Sequence, residues 1–422
     1  MNAIAYAALW VFVFSMPWEN LIVISGVGAI SRLFGMVAFS VALITAVTSA
    51  RIRRLHPLHV LAVLFVLWAA VGLMLFQVGT DVPKKFYTYV QLIMVLWIIW
   101  ELAPTRQRAL GLLTAYVFGA YVAAINTVMV YRTEAGLERR FSAEGFDPND
   151  LAMTLVLALP MAWYLGMTYH RPILRWICRG YLPIGLFAIA LTGSRGGMVA
   201  GLVALMIVPF TMTRLSPAKL AGAVFIIAIS GAVAVAYVPE TIIQRLSSTS
   251  GQIESGTMGG RTTIWMAGAR AFVQKPITGY GSGSFAPAIR PILGYPRVSH
   301  NSYLTVLVEQ GLVGFLLYIG MFFAVLFAAL RLPLLERRFA VILLATLAIA
   351  MLPLAWEDQK AAWFTLAAVL ALAQGWWSSG VRGAAEEPSP LEPSPYARAR
   401  AAAPVRQRFT ARVRNTERDT GA

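Results

Sequence analysis

Apolar residues run along this chain in long unbroken blocks separated by short polar stretches. The blocks fall at 3–18, 30–49, 57–77, 86–104, 108–131, 149–169, 177–193, 196–213, 218–238, 300–330, 339–355 and 361–377. A helix of about 20 apolar residues crosses the ~30 Å of bilayer hydrocarbon. In lipid every backbone N–H and C=O must be satisfied internally, which leaves helices or a closed barrel. The blocks are continuous rather than alternating, so helices are expected. The predicted fold is an all-α integral membrane protein with about twelve transmembrane helices. A large outer loop, 239–299, separates the ninth from the tenth. The domain expectation is a membrane domain over 1–377 and a disordered basic tail over 378–422.

Composition agrees. Of 422 residues, 58% are hydrophobic and 13% are charged, with a mean hydropathy of +0.68. Soluble domains carry roughly 25% charged residues. The net charge of +16 would suggest nucleic acid on a soluble protein. In a membrane protein it follows from the enrichment of cytoplasmic loops in Lys and Arg, so no nucleic-acid partner is expected. With both termini inside, 21 of the 35 Lys and Arg fall on inner segments, eight of them Arg in the tail. Cys178 is the single cysteine, which excludes an internal disulfide. The first block has no preceding Lys or Arg and reads as a membrane helix rather than a cleaved signal peptide. The tail is expected to lie against anionic inner-leaflet lipid or simply in solvent.

Polar residues with chemical potential gather on the outer side. The turn Thr192-Gly193-Ser194-Arg195-Gly196-Gly197 joins the seventh and eighth blocks. Ser194 is placed to cap the eighth helix, and Arg195 to sit in its first turn beside amides that favour an anion. Gly196 and Gly197 allow a ligand or a neighbouring backbone to come close. The competing reading is a tight turn with an interfacial Arg. In the large loop, Gly259-Gly260-Arg261-Thr262-Thr263-Ile264-Trp265 precedes Pro276-Ile277-Thr278-Gly279-Tyr280-Gly281, read as a flexible turn ending a helix. The loop carries six basic residues against Glu240 and Glu254, a balance suited to an anionic substrate.

His300, in Ser299-His300-Asn301-Ser302-Tyr303, enters the tenth helix. A His there serves as a general base, or alternatively as a helix cap or interfacial group. Glu309 lies deeper in the same helix, and an intramembrane carboxylate is a functional candidate by default, with structural pairing as its alternative. Gly311 and Gly314 form a small-residue pair suited to helix packing. The stretch 132–148 is polar, with Glu134, Glu138, Glu144 and Asp147. No His/Cys/Asp cluster has metal-ligand spacing, and no phosphate-loop or dinucleotide fingerprint occurs. The sites therefore call for no metal and no cofactor.

Three motifs combine in order. Ser194-Arg195-Gly196-Gly197 opens a helix. Arg261 and Trp265 follow, with Pro276, Gly279 and Gly281 downstream. His300-Asn301-x-Tyr303 then precedes Glu309-x-Gly311. Together with Asp147-Pro148-Asn149-Asp150 before the sixth helix, they resemble the O-antigen ligase and O-antigen polymerase family of bacterial envelope proteins. The resemblance implies a metal-independent, inverting glycosyltransferase of the inner (cytoplasmic) membrane. It would take a glycan from undecaprenyl pyrophosphate at the periplasmic face. The acceptor would be lipid A–core in a ligase or a lipid-linked repeat unit in a polymerase. Relatives that glycosylate proteins usually carry an additional C-terminal region, which the short tail does not suggest. In this reading Arg195 and Arg261, with Ser194, Gly196 and Gly197, hold the pyrophosphate, and His300 takes the acceptor proton with Glu309 in reserve. The rival class is a multi-pass transporter or channel for an anionic solute, and a third is a non-catalytic assembly partner.

Overall fold

The computed structural model describes residues 2–49, 53–75, 82–134, 140–211, 221–222, 225, 239–247 and 260–385. The expected ninth helix, 218–238, falls almost wholly outside them, as do Glu138, Glu254, Gly259 and the tail beyond 385. Met1–Ser379 form one compact unit and Gly380–Ala422 a second.

The described chain is all-α apart from a two-residue hairpin, β1 (Val23–Ile24) against β2 (Gly28–Ala29). The helices are α1 (Asn2–Ser15), α2 (Ile30–Ser49), α3 (Pro57–Leu75), α4 (Val82–Leu102), α5 (Arg106–Thr133), α6 (Pro148–Thr168) and α7 (Pro172–Leu191). They continue as α8 (Arg195–Leu205), α9 (Ile207–Thr211), α10 (Glu240–Ser247), α11 (Arg261–Gln274), α12 (Phe285–Leu293), α13 (Ser302–Leu330), α14 (Leu334–Ala350) and α15 (Lys360–Ala385). A 3₁₀ turn, Met16–Leu21, follows α1. Seven helices among the described residues are long and apolar enough to cross a membrane: α2 to α7 and α13.

α6 is the axis of the bundle. Its apolar window is 83% buried, against 28% for α2 and α13. α5, α7, α8 and α14 surround it. Tyr164 of α6 stacks on Phe339 of α14 with centroids 4.2 Å apart, and Tyr116 of α5 on Phe364 of α15 at 5.1 Å. Such pairs contribute about 0.5–1.5 kcal/mol beyond their burial. Met74, Val47 and Phe327 point outward and are exposed, as residues facing lipid must be.

α7 begins at Pro172 rather than 177, and α15 runs to Ala385 rather than 377, so the first residues of the expected tail are helical; two further boundaries differ for identifiable reasons. The block at 339–355 is helical over Leu334–Ala350 instead. Its charged start is drawn into the helix because buried Glu336 pairs with Arg106 at 3.1 Å, and its end unwinds before Pro353, which disfavours helix in the preceding residue. The eighth block is interrupted at Met206, splitting α8 from α9.

α13 is broken at Gly311, whose φ of +63° and ψ of −165° are non-helical. Gly311 is thus a backbone break rather than half of a small-residue packing pair. The segment 276–281, expected as a flexible turn, is what fills the break. Leu312 N–H donates to Pro276 O (2.7 Å), Tyr280 N–H to Val308 O (3.0 Å) and Gly281 N–H to Glu309 O (2.7 Å). Trp68 Nε1 of α3 donates to Gln310 O at 2.9 Å. Irregular backbone at membrane depth is tolerated only when protein satisfies it, and here four bonds do so.

Candidate functional site

Four helices, α6, α8, α13 and α15, begin at one end of the bundle and are tied there to the segment 351–359. Asp147 caps α6, its carboxylate accepting from Asn149 N–H at 2.7 Å. Ser194 caps α8, accepting from Gly197 N–H at 3.2 Å, as its sequence position predicts. Asn301 caps α13, accepting from Leu304 N–H at 2.9 Å. The cap of α13 is therefore Asn301 and not His300. Ser302, fully buried, receives Trp356 N–H on its Oγ (2.7 Å) and donates to Leu354 O (2.8 Å). Trp356 Nε1 in turn donates to Asp150 Oδ1 at 2.9 Å. One loop thus fastens the first turn of α13 to the first turn of α6, and leads on into the first turn of α15.

α8 is held to the same loop by its glycines. A Cβ on Gly196 would lie 2.6 Å from Pro353 Cγ, and one on Gly197 2.6 Å from Ala152 Cβ. Both glycines therefore serve close packing of α8 on α6 and on the 351–359 segment. The preceding turn needs Gly193 at φ +55°. Arg140 fixes it from outside: Nε donates to Thr192 O and Nη2 to Asn149 Oδ1, both at 2.7 Å. Arg140 was not singled out by sequence reasoning.

α11 joins through Trp265, whose Nε1 donates to Ser299 O at 2.9 Å. This bond sets the first residue of α11, Arg261, toward the 299–301 corner. His300 adopts φ +48°, the one non-glycine residue with positive φ among those described. A strained non-glycine conformation costs about 1–3 kcal/mol and persists only where its surroundings impose it. Ser299 imposes it here: Ser299 Oγ bonds Asn301 O and accepts from Asn301 N–H, each at 3.0 Å, and also meets Thr305 Oγ1. Burial holds the His300 imidazole below its ordinary pKa, and the Arg261 and Arg297 cations push the same way against Asp147. His300, Arg261, Arg297 and Asp147 therefore share one electrostatic neighbourhood.

α8 and α11 each begin with an Arg, Arg195 and Arg261, at the first helical position. Amides and guanidinium are both suited to anionic oxygen. The structure brings Arg261 to His300, and brings the Arg195 turn, α6 and α13 to one loop.

Glu309 lies elsewhere, roughly 10 Å along the axis from the first turn of α13 by helical rise. Its Oε2 accepts from Lys85 Nζ at 2.8 Å, and its Oε1 from Phe285 N–H at 3.3 Å. Lys85 also reaches Glu357 Oε1 at 2.6 Å. The lysine bridges two carboxylates that are 3% and 1% exposed. Sequence reasoning named neither Lys85 nor Glu357.

The helix-breaking Gly311, the interlocking 276–281 segment, the Arg195 turn and the His300 corner all fall within one stretch. Residues 181–319 match the O-antigen ligase family. The match supports the kinship with O-antigen ligases and polymerases that the motifs suggest, and with it a membrane-bound transferase of surface-polysaccharide synthesis. The O-antigen ligase segment runs from within α7, through α8 and α11, to the middle of α13. It contains Ser194, Arg195, Gly196, Gly197, Arg261, His300 and Glu309. Asp147, Asp150, Lys85 and the 351–359 loop lie outside it and are joined to it by the bonds described above. No curated protein matches the chain.

Proposed function

We propose that this protein transfers a glycan from undecaprenyl pyrophosphate to an acceptor hydroxyl at the periplasmic face, as a surface-polysaccharide polymerase or an O-antigen ligase. The observation that carries this reading is a half-buried His300 in the electrostatic field of Arg261 at an end of the bundle where several helices begin. The acceptor oxygen attacks the anomeric carbon as the bond from that carbon to the pyrophosphate oxygen breaks. The electron pair leaves with the lipid pyrophosphate, and the acceptor proton passes to the neutral imidazole of His300. Attack opposite the leaving group gives inversion. Arg195 and Arg261 take the charge that develops on the leaving oxygen, a role for which bidentate guanidinium is suited. The lipid carrier already activates the sugar, so the scheme needs no nucleotide and no metal.

In this reading Glu309 keeps Lys85 and the α13 break in place rather than acting as a base, because Lys85 and the Phe285 amide occupy both its oxygens. The charge bias of the loops supports termini in the cytoplasm and the 239–299 segment in the periplasm. A broken helix with a buried ion pair is also a feature of secondary transporters. Here the break is closed by backbone bonds from 276–281, and the O-antigen ligase match favours the transferase.

The test is reconstitution of purified protein in nanodiscs with lipid-linked oligosaccharide. Lipid A–core is offered in one arm and a second lipid-linked repeat in the other. Product in either arm, lost in Arg261→Ala and His300→Ala, supports the reading and selects ligase or polymerase. Full product from both variants removes it.

A further inference from the structure

Asp150, in the first turn of α6, has no part in the transfer scheme. Its Oδ1 accepts from Trp356 Nε1 at 2.9 Å. An N–H bonded to an ionised carboxylate is roughly twice as strong as a bond between neutral groups. Trp356 is 2% exposed, and a buried indole N–H left without an acceptor is costly, so the bond holds the ring in one place. Trp356 is also locked to the start of α13. Ser302, two residues after His300, donates its N–H to Met351 O (3.0 Å) and its hydroxyl to Leu354 O (2.8 Å), and accepts from Trp356 N–H (2.7 Å). Three bonds therefore make the 351–359 loop and the His300 corner one piece.

Among the described residues, the indole bond to Asp150 is the hydrogen bond that joins this loop to α6. α6 is the fixed side of the joint. Its apolar window is the most buried of the seven spanning helices, and Arg140 holds the neighbouring Asn149 at 2.7 Å. Asp147, at the head of the same helix, is the anion in the His300 neighbourhood, facing Arg261 of α11 and Arg297 of the segment that leads into α13.

We propose that Asp150 is a positioning residue: by fixing Trp356, and through it Ser302, it sets His300 against Asp147 at the head of α6. Without the bond the corner moves more freely relative to α6. Asp147 then acts on His300 from a greater average distance, and the imidazolium is less stabilised. A misplacement of about 1 Å can cost about 10²-fold in rate. The role of His300 in this account rests on the glycan-transfer reading, whereas its placement against Asp147 is measurable without transfer.

Full-length protein in nanodiscs is treated with diethyl pyrocarbonate over a pH series. The reagent acylates neutral imidazole, so modification of the His300 peptide, followed by mass spectrometry, gives the titration midpoint of His300. Trp356→Phe changes no charge. It should move that midpoint to lower pH and, with saturating donor, lower the transfer rate about 10²-fold. Asp150→Ala should do the same, and the double variant should be no slower than the slower single, because both remove one bond. Asp150→Asn loses the same charge as Asp150→Ala, but its amide oxygen still accepts from the indole, so it should stay near the wild-type rate and midpoint. A wild-type midpoint in Trp356→Phe or, should that variant not fold, in Asp150→Ala overturns the proposal. So does a midpoint that moves equally in Asp150→Asn and Asp150→Ala. Absence of transfer by the wild-type protein would remove the glycan-transfer reading, and the midpoints would still decide the placement.

Discussion

Gly279 and Gly311 interlock across the break in α13. A Cβ on Gly279 would lie 2.6 Å from Gly311 N, and a Cβ on Gly311 would lie 2.8 Å from Gly279 N and collide with the Ile277 carbonyl. Both residues have positive φ, +68° and +63°. Alanine at Gly311 therefore meets strain of about 1–3 kcal/mol and a backbone clash that no rotamer relieves. Gly311→Ala is expected to lower the apparent Tm and the yield of monodisperse protein. Gly294→Ala, whose Cβ meets nothing within 4 Å, carries the φ penalty alone and should lose less. Equal melting of the two variants would refute the interlock.

Lys85 holds Glu309 and Glu357 together deep in the bundle. Removing one partner of a buried ion pair costs about 3–5 kcal/mol, because the remaining charge is stranded. Lys85→Met should be strongly destabilised in a thermal melt. Glu309→Gln should be milder, since Lys85 retains Glu357 and the amide oxygen still accepts from Phe285 N–H. It should also keep most transfer activity. Activity lost in Glu309→Gln with unchanged Tm would return Glu309 to the role of proton acceptor.

The pH profile tests His300. Its pKa lies below the ordinary 6.5 through burial, Arg261 and Arg297, while Asp147 opposes. A general base must be neutral, so transfer should fall as pH drops through a value below 6.5. Arg297→Ala removes a cation that depresses the pKa, and should move this acidic limb to higher pH. Asp147→Asn keeps a side chain able to cap α6 but removes the anion, and should move the limb to lower pH. A rate that rises on acidification, with donor binding lost in His300→Ala, would mark His300 as a phosphate ligand instead.

Arg195→Ala and Arg261→Ala should each reduce transfer by about 10²–10³-fold, the scale of losing one preorganised donor to a developing anion. Lys at either position should recover only part, since the ammonium lacks the guanidinium fork. Single-turnover kinetics with saturating donor provide the measurement. Full recovery by Lys would argue for a point charge without bidentate contact.

Topology has a direct assay. Val273 of α11 is 73% exposed, whereas Cys178, the native thiol, is buried. Val273→Cys should react with an impermeant maleimide in intact spheroplasts. Reaction only after lysis would invert the orientation.

The sequence by itself determined the helical character of the apolar blocks and the cap of α8. Lipid leaves a spanning backbone no hydrogen-bond partner but itself, so long apolar blocks had to be helical, and the described residues are all-α apart from the short β1–β2 hairpin. Ser194 at the head of α8 was legible because a cap bonds its own first turn and needs no distant residue. The Arg195, Arg261 and His300 motifs were legible as residue types, and only the family resemblance grouped them. The turns that carry them are held by Arg140, Trp265 and the 351–359 loop, whose partners lie 52, 34 and 54 residues away. The hydrophobic pattern records only which residues face lipid or protein, not which polar groups meet within the protein. For that reason Gly196 and Gly197 read equally as room for a ligand or for a neighbouring segment, and Pro353 and Ala152 are what stand against them. Gly311 likewise read as a packing glycine until 276–281 was found bonded into its break. Lys85 meets Glu309 and Glu357 across 224 and 272 positions. Only the packing of α4 against α13 and the 351–359 loop brings those charges within bonding distance.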